Sequence, residues 1–579
     1  MEYTSFPLTG TPFDKYLRKL FLNKNRKLIV TRRSKYSTGQ HYSAVDQYPL
    51  PNHKEVYQEV EALLDKFYEE YRQEELYYKG VNVPKVIRRS SHNFLTELFN
   101  SVAQVKAFHE QYKEVKIVAD NKICTMLRHH NITCTPSPIL SVWYFLFEIA
   151  LKVRRKLKNI SKEGLNQDIY FADSGKKLNI LSIGVSVDRN KTFVNISNHL
   201  KGKFNTMFIH QETKGEVVLE EFKKRKIEFS HKKHEIIKDK IILSAGKIKH
   251  IGNPVFKYLQ QKINQELTAS IKDIIIFVDL LDNIHSKEKI DAVLTGLTFG
   301  WLYDLTIQWA KFNNVINIFA QDVFFNEDLY HNISADYVIT GSKQFRLDLI
   351  EMGYSEENIK YTSQINDLLT QSPLKLSNIN IIKSREYISK VLADRGVDLG
   401  QKKIIYIASD PGDYLNTPYQ KYRSEKIIFE EASELKDYVV ILKLHHSDIG
   451  EISRKALKDS SAENGLIIKD VDFYKGLAAA DVFISKYSTS VIEAMIMGKF
   501  ILLMNHEGGN FYQKAVVKKV AYFLNKKGDL KKMMGKKDEL ISDFDYKVKN
   551  YISNTYYSED DTTSEPVVEI INQIMQNGW

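Results

Sequence analysis

The sequence predicts an α/β protein of two Rossmann-like halves, preceded by a mainly helical, basic region. Three observations carry that reading. From about residue 176, apolar β-branched runs alternate with helical stretches, the pattern of a parallel sheet covered on both faces. The alternation breaks in a polar segment around 371–385 and then restarts. The length of 579 residues corresponds to about three domains at the usual ~100–200 residues each. The expected division is a basic, helical region over 1–175, a first Rossmann-like domain over 176–385, a second over 386–535, and a helical tail over 536–579. The final helix, about 564–576, is expected to cross back to the first domain.

In chain order, residues 1–55 are basic and aromatic, with nine cations between Lys15 and Lys35. Val56, Val60, Leu63, Leu64, Phe67 and Tyr71 recur at helical spacing and predict an acidic amphipathic helix over 54–78. A second helix is expected over 94–112, then a short strand, Val115–Val118. Ile139–Leu151 is an apolar stretch followed at once by Lys152, Arg154, Arg155, Lys156 and Lys158. It reads as a buried core helix. Its aromatics beside a cationic run also suit an anionic leaflet. In the first half, strands are expected at Leu178–Ile183, Thr206–Ile209, Ile274–Val278, Ala292–Thr295, Val315–Phe319 and Tyr337–Ile339. In the second they are expected at Lys403–Ile407, Tyr438–Leu442, Gly465–Ile468, Val482–Ile484 and Phe500–Met504.

Composition narrows the class. A hydrophobic fraction of 43% excludes wholesale disorder, and 26 Gly with 12 Pro exclude a linker-dominated chain. The net charge of +11 and the pI near 9.0 suit an acidic small molecule or an anionic surface. Tyr16, Phe21 and Tyr36 are interleaved with the N-terminal cations as base-stacking residues would be, but no nucleic-acid module accompanies them, so no nucleic-acid partner is expected. Two cysteines, Cys124 and Cys134, cannot make a disulfide framework, and the plain reading is a reducing compartment. Met1-Glu2-Tyr3-Thr4 does not open a signal peptide, and no stretch reaches ~18 apolar residues. The expected location is cytoplasmic, with peripheral contact at the inner face of the cell membrane left open.

In open parallel sheets ligands bind beyond the carboxyl ends of the strands, so the residues after each strand are the candidates. Lys403–Ile407 leads into Ser409, Asp410 and Gly412, a small turn-prone loop whose amides can approach an anion. Gly412 equally serves a simple turn. Tyr438–Leu442 runs into Lys443, Leu444, His445 and His446, where an imidazole can donate to a phosphate oxygen. Val482–Ile484 is followed by Ser488, Thr489 and Ser490 and then a helix carrying Glu493. Helix-start amides plus hydroxyls make an anion site, and Glu493 one turn in can reach a ribose diol. The bland alternative is capping by Ser488 or Thr489, with Glu493 serving the macrodipole. Asp470-Val471-Asp472 spells a DxD triplet in a routine connecting loop and is read as a solvated turn. No metal is expected.

Taken together, Tyr438–Asn505 resembles the carboxyl-terminal domain of GT-B glycosyltransferases and their relatives. Among these are bacterial surface-polysaccharide transferases, CDP-glycerol glycerophosphotransferases of teichoic-acid synthesis and non-hydrolysing UDP-N-acetylglucosamine 2-epimerases. Lys443-Leu444-His445 is similar to the transferases' Lys-Leu-His-Pro motif, with His446 in place of proline. Ser488-Thr489-Ser490, Glu493-Ala494 and Gly498-Lys499 resemble their serine-rich loop, Glu-Ala pair and Gly-Lys, with Phe500 where proline is usual. The likeness extends over about 176–530, and residues 1–175 resemble no named family.

The resemblance implies two Rossmann-like domains facing a cleft. It implies a metal-independent glycosyltransferase without cofactor, moving a sugar from a nucleotide sugar to a cell-surface polysaccharide or lipid-linked saccharide. Donor contacts would fall to Ser409, Gly412, Lys443, His445, Ser488, Thr489, Ser490 and Glu493. Asp322, where glycerophosphate-transferase relatives place a histidine, is the first candidate base; Asp188 is the second, and His210 with Glu212 the third. Each of the carboxylates reads equally as a solvated loop residue. Cations in 15–35 and 152–158 would hold the enzyme near an anionic membrane surface or acidic glycan. The alternatives are a UDP-sugar 2-epimerase-like enzyme and a non-catalytic scaffold of a polysaccharide-biosynthesis complex.

Overall fold

A computed structural model describes residues 27–30, 53–69, 76–111, 116–119, 124, 127–128, 132–136, 168–172, 178–184, 196, 200, 203–210, 223–226, 231–247, 254–296, 301–321, 333–362, 373–410, 418–445, 448–508, 511–556 and 566–577. The chain forms two compact units that do not follow chain order. One comprises Met1–Tyr57, Thr96–Lys152 and Pro373–Ile552; the other comprises Gln58–Leu95, Val153–Ser372 and Ser553–Trp579.

The first five strands are short: β1 (Lys27–Val30), β2 (Tyr77–Tyr78), β3 (Val81–Asn82), β4 (Lys116–Ala119) and β5 (Cys134–Pro136). β1, β4 and β5 make a small parallel sheet, and β2 and β3 an antiparallel hairpin. Helices cover His53–Glu69 and Arg88–Gln111, near the expected places. Ile139–Leu151 and the cations of 152–158 lie outside the described residues, as do all those of 15–35 except Lys27. Among the described residues no helix is long and apolar enough to cross a membrane. Cys124 and Cys134 are joined in a disulfide, which removes the cysteine-based argument for a reducing compartment.

The first large sheet contains β6 (Asp168–Ala172), β7 (Asn179–Gly184), β8 (Asn205–His210), β9 (Lys223–Lys226), β10 (Ala292–Thr295), β11 (Ile316–Ala320), β12 (Tyr337–Thr340) and β13 (Ile359–Tyr361). Their order is β13-β12-β11-β10-β7-β8-β6-β9. All pairs are parallel except those of β6 with β8 and with β9, which are antiparallel. Leu294, Ile318 and Ile339 are buried in strand interiors, as a sheet covered on both faces requires. Part of one covering is the helix Val567–Asn577, whose Val567, Ile570, Ile571, Ile574 and Met575 pack in one core with Ile180, Leu294 and Ile339. The end of the chain therefore returns to the first sheet, as expected.

One expected strand is not there. Ile274–Val278 lies inside a single helix, Pro254–Glu288. All five residues are buried, so the run has no polar face to reveal a helical period. A short β-branched run buried all round looks the same in either conformation, and the length of its flanks decides. Here Gln260–Lys272 and Asp279–Glu288 continue the helix on both sides. Four strands of the large sheets, β6, β9, β13 and β19 (Tyr522–Leu524), were not read from the sequence; β13 and β19 have three residues each, and β9 is entirely cationic.

The second large sheet contains β14 (Lys403–Ser409), β15 (Tyr438–Leu444), β16 (Gly465–Ile468), β17 (Val482–Ser485), β18 (Phe500–Met504) and β19. Every pair is parallel and the order is β16-β15-β14-β17-β18-β19. The helix Ile381–Ala393, capped by Asn380 Oδ1 accepting from the Lys383 amide at 2.9 Å, belongs to this unit. Tyr387 Oη accepts from the Asp472 amide at 3.2 Å. The change of unit thus falls at Ser372–Pro373, ahead of the boundary read at 385.

Candidate functional site

Counted within the second sheet, the strand order is 3-2-1-4-5-6, with the direction of winding reversing between β14 and β17. Loops leaving the carboxyl ends of strands at such a reversal run apart and leave a crevice, where ligands of doubly wound folds bind. Registers fix which residues meet there. Ser409 is level with Leu444, Ile407 with Ile484, and Ser485 with Leu503. Ser409, Lys443, His445, Ser488, Thr489, Ser490 and Glu493 therefore follow adjacent strands along one edge. Gly412, Asp188, Asp322 and Glu212 lie outside the described residues, and His210 ends β8 in the other unit.

The Ile484–Val491 turn has a buried floor and an open lip. Ser485 is fully buried, its hydroxyl without a hydrogen-bond partner among the described residues, and Lys486 and Tyr487 are buried beside it. Ser488 and Thr489 are half-buried. Ser488 Oγ accepts from the Ser490 amide at 3.3 Å and the Ser490 hydroxyl at 2.8 Å. Thr489 is the N-cap of the helix Ser490–Ile496, but its side chain makes no capping bond. The capping alternative thus holds for Ser488 alone. Glu493 accepts from Tyr474 Oη at 3.2 Å. Burial pushes its carboxyl up to about 7, against the Tyr474 hydrogen bond.

Ser409 is not an open donor. Its hydroxyl donates to Glu425 Oε1 at 2.9 Å and accepts from Lys421 Nζ. Lys421, 1% exposed, also donates to Asp410 O at 2.7 Å and Asp448 Oδ2 at 2.6 Å, with Glu425 Oε1 at 3.4 Å. Burial opposes the Lys421 charge, but Glu425 and Asp448 outweigh it and hold the ammonium above its ordinary range. His445 stands half-buried at the end of β15, close enough for its charge to act on Asp448. Lys443 Nζ donates to Leu444 O at 2.9 Å, and burial lowers its pKa.

A second charged group gathers past β17 and β18. Lys486 Nζ is 3.7 Å from Glu507 Oε2, and the Ser424 hydroxyl is 3.1 Å from the same oxygen. His506 follows β18 with both ring nitrogens buried. Lys421, Ser424 and Glu425 come from one helix, Pro418–Ala432, which ties the two groups together. Sequence reading missed Lys421, Glu425, Asp448, Lys486, His506 and Glu507. The Lys421/Glu425 spacing was visible but reads as an ordinary surface pair. His506 and Glu507 emerge by reading past β18 as past the other strands.

Two motif positions turn out to be structural. Asp472 Oδ1 caps the helix Phe473–Ala479, accepting from the Tyr474 and Lys475 amides at 3.0 Å each. That is the turn role expected of the DxD triplet. Lys499 enters β18 at the opposite, amino edge and donates to Ala478 O at 2.7 Å and Ala480 O at 3.0 Å. It closes a helix end away from the crevice.

No family model matches the chain, and no curated protein matches it. Among solved structures, it is similar to a UDP-GlcNAc 2-epimerase from Neisseria meningitidis bound to UDP-GlcNAc, at 13% identity and TM-score 0.42, over 69% of this chain and 100% of the other. It is similar to S. aureus MnaA in a co-structure with UDP, at 12% identity and TM-score 0.38, over 65% and 96%. It is also similar to the wall teichoic acid polymerase TagF, at 14% identity and TM-score 0.33, over 51% and 75%. These are proteins of the groups that the 438–505 motifs resemble. With TM-scores below 0.5, no substrate or activity is carried over from them, and the α/β class rests on the strand order of the two sheets.

Proposed function

We propose that the chain is a metal-independent glycosyltransferase of the GT-B type, moving a sugar from a nucleotide sugar to a cell-surface polysaccharide or lipid-linked saccharide. One observation carries the reading. His445, Ser488, Thr489, Ser490 and Glu493 lie along the carboxyl edge of an all-parallel sheet, beside the reversal of its strand order. In this reading donor phosphate meets the Ser488 and Thr489 amides and hydroxyls, where dipoles stabilise a leaving anion without a metal. His445 donates to a phosphate oxygen as charge develops on the leaving group. Glu493 exchanges its Tyr474 partner for a ribose diol. Asp188 and Asp322, past the ends of β7 and β11, are the candidate bases for the acceptor hydroxyl.

The test is thermal denaturation of the full chain with nucleoside mono- and diphosphates. A ligand at 100 times its Kd adds about 2.7 kcal/mol to the native state. Stabilisation that is lost in His445→Ala and Ser488→Ala supports the reading. A folded chain that no nucleotide stabilises rejects it and favours a scaffold. Epimerisation of a free nucleotide sugar without acceptor replaces transfer by epimerase chemistry.

A further inference from the structure

Three consecutive residues of the serine turn are each engaged by the stretch of chain that follows β18. Lys486 Nζ lies 3.7 Å from Glu507 Oε2. The Tyr487 ring meets the Phe511 ring with 5.4 Å between centroids. Tyr512 Oη donates to Ser488 O at 2.8 Å. Tyr512 is fully buried, and its backbone sits at φ 60° and ψ 34°, a left-handed conformation that bulky side chains rarely adopt. Such a conformation persists where the surroundings hold it, and it clusters where local geometry serves a site. The Tyr512 carbonyl accepts from the Val516 amide at 3.1 Å and so opens the helix Gln513–Val517. That bond engages the backbone, whereas the phenol is directed to the serine turn.

The atom that the phenol reaches decides what the bond does. Ser488 O also accepts from the Val491 amide at 3.1 Å, so both of its lone pairs are engaged and its direction is set. A carbonyl and the N–H of the next residue belong to one planar peptide and, in the trans form, point opposite ways. Holding Ser488 O therefore aims the Thr489 N–H away from the Tyr512 hydroxyl and the Val491 amide. That N–H makes no hydrogen bond among the described residues, and Thr489 is half-buried. A donor fixed in advance stabilises an arriving anion without reorganising first.

We infer that Tyr512 is a positioning residue of the serine turn, whose hydroxyl holds the Ser488–Thr489 peptide so that the Thr489 amide is presented to a phosphoryl oxygen. This rests on the reading of the turn as a phosphate site and names what keeps that turn in shape. Glu507 and Phe511 steady the turn through the side chains of Lys486 and Tyr487; Tyr512 grips the main chain itself.

Isothermal titration of the full chain with pyrophosphate and with adenosine, cytidine and uridine diphosphates tests this. Tyr512→Phe keeps the ring and removes the hydroxyl. Tyr522→Phe is the control, since it removes a phenol that donates to the Lys519 carbonyl at 3.2 Å in the same unit. A tyrosine of purely structural value would lower the melting temperature and leave the dissociation constant of the folded chain as it was. The expected result is pyrophosphate binding about fivefold to tenfold weaker in Tyr512→Phe, as loss of one neutral hydrogen bond implies, and native in Tyr522→Phe. Nuclear magnetic resonance reads the peptide itself. With isotope at serine carbonyls and threonine amides, the correlated signals come from Ser37–Thr38 and Ser488–Thr489, the Ser-Thr pairs of the sequence, and Thr38→Val identifies the first. The Thr489 signal should move when pyrophosphate is added to the native chain, and should stand elsewhere in Tyr512→Phe. Phe511→Leu leaves the hydroxyl and loosens the same stretch, and is expected to weaken pyrophosphate binding and displace the Thr489 signal as well. Native pyrophosphate affinity in folded Tyr512→Phe or, should that chain misfold, in Phe511→Leu, with Ser488→Ala impaired, overturns the positioning role and leaves the proposed function standing. Absence of binding by any of these probes to the folded native chain overturns both.

Discussion

At Lys421 one buried ammonium is held by Ser409, Asp410, Glu425 and Asp448, and the charge is kept because the carboxylates of Glu425 and Asp448 outweigh the cost of burial. Removing one member of such a group strands the others in a low-dielectric interior. Lys421→Met is therefore expected to cost about 3–5 kcal/mol in urea unfolding; a loss under ~1 kcal/mol would place the network in water. Glu493 works in the opposite sense. Its folded pKa, about 7, lies above the ordinary carboxylate range, so burying it favours the native state below the ordinary value and loses that benefit as pH rises towards 7. Glu493→Gln should melt at about the native temperature at pH 5 and higher at pH 8. With ~1.4 kcal/mol per pKa unit and a side chain still partly open to water, the gain is about 1–2 kcal/mol. Parallel pH profiles of the two proteins would show that the carboxyl is not desolvated. The chemistry of these positions was only half legible in the sequence. Ser488 and Glu493 follow a strand and show themselves, whereas Lys421 acquires its meaning from Asp448, which reaches it across the fold.

The helix Phe473–Ala479 lies close against β14 because Gly476 has no side chain. A Cβ there would stand 2.5 Å from the ring of Tyr406, which is fully buried. An exposed glycine-to-alanine change in a helix stabilises by up to ~1 kcal/mol. Here the ring has nowhere to go, and Gly476→Ala is expected to destabilise by a net ~1–2 kcal/mol in chemical denaturation; a stabilised variant would mean that the helix can lift. Most elements of this unit were legible in the sequence for the converse reason. Strands such as Val482–Ser485 and Phe500–Met504 are apolar runs ended by turn residues, and both are buried along their length. Ile274–Val278 met the same description and became helix, because burial on every side removes the polar alternation that separates the two periods. β9, with the sequence Lys223-Lys224-Arg225-Lys226, was illegible for the reverse reason. An edge strand made of cations carries no apolar pattern, and its pairing with β6 is set by the backbone.

At the scale of the molecule, each unit is assembled from three separate stretches of chain, so its stability depends on pieces distant in sequence. The Val567–Asn577 helix is the plainest case. Its five buried apolar side chains cover the sheet of a unit built mainly from residues before 373. At about 1.5–3 kcal/mol for each buried side chain, their removal takes away roughly 8–15 kcal/mol, as much as a whole domain usually has. A chain ending at residue 565 should lose the cooperative unfolding of that unit, while the Pro373–Ile552 portion still melts. Calorimetry would read this as the disappearance of one transition; two intact transitions would show that the helix is an ornament.

The amino-acid order alone determined the α/β class, the restart of the strand pattern near residue 400, and the turns after β14, β15 and β17. Those are local matters, fixed by the period of apolar residues and by the residues that end each run. The tertiary structure decided which charges are buried and with whom: Lys421 with Asp448, Lys486 with Glu507, and His506 with no hydrogen-bond partner among the described residues. It also decided that the last helix serves the first sheet and that Cys124 meets Cys134. A charge has no preferred period along a chain. Its energy depends on the dielectric and on neighbours brought near only by folding, so its role becomes readable once the surrounding strands are in place.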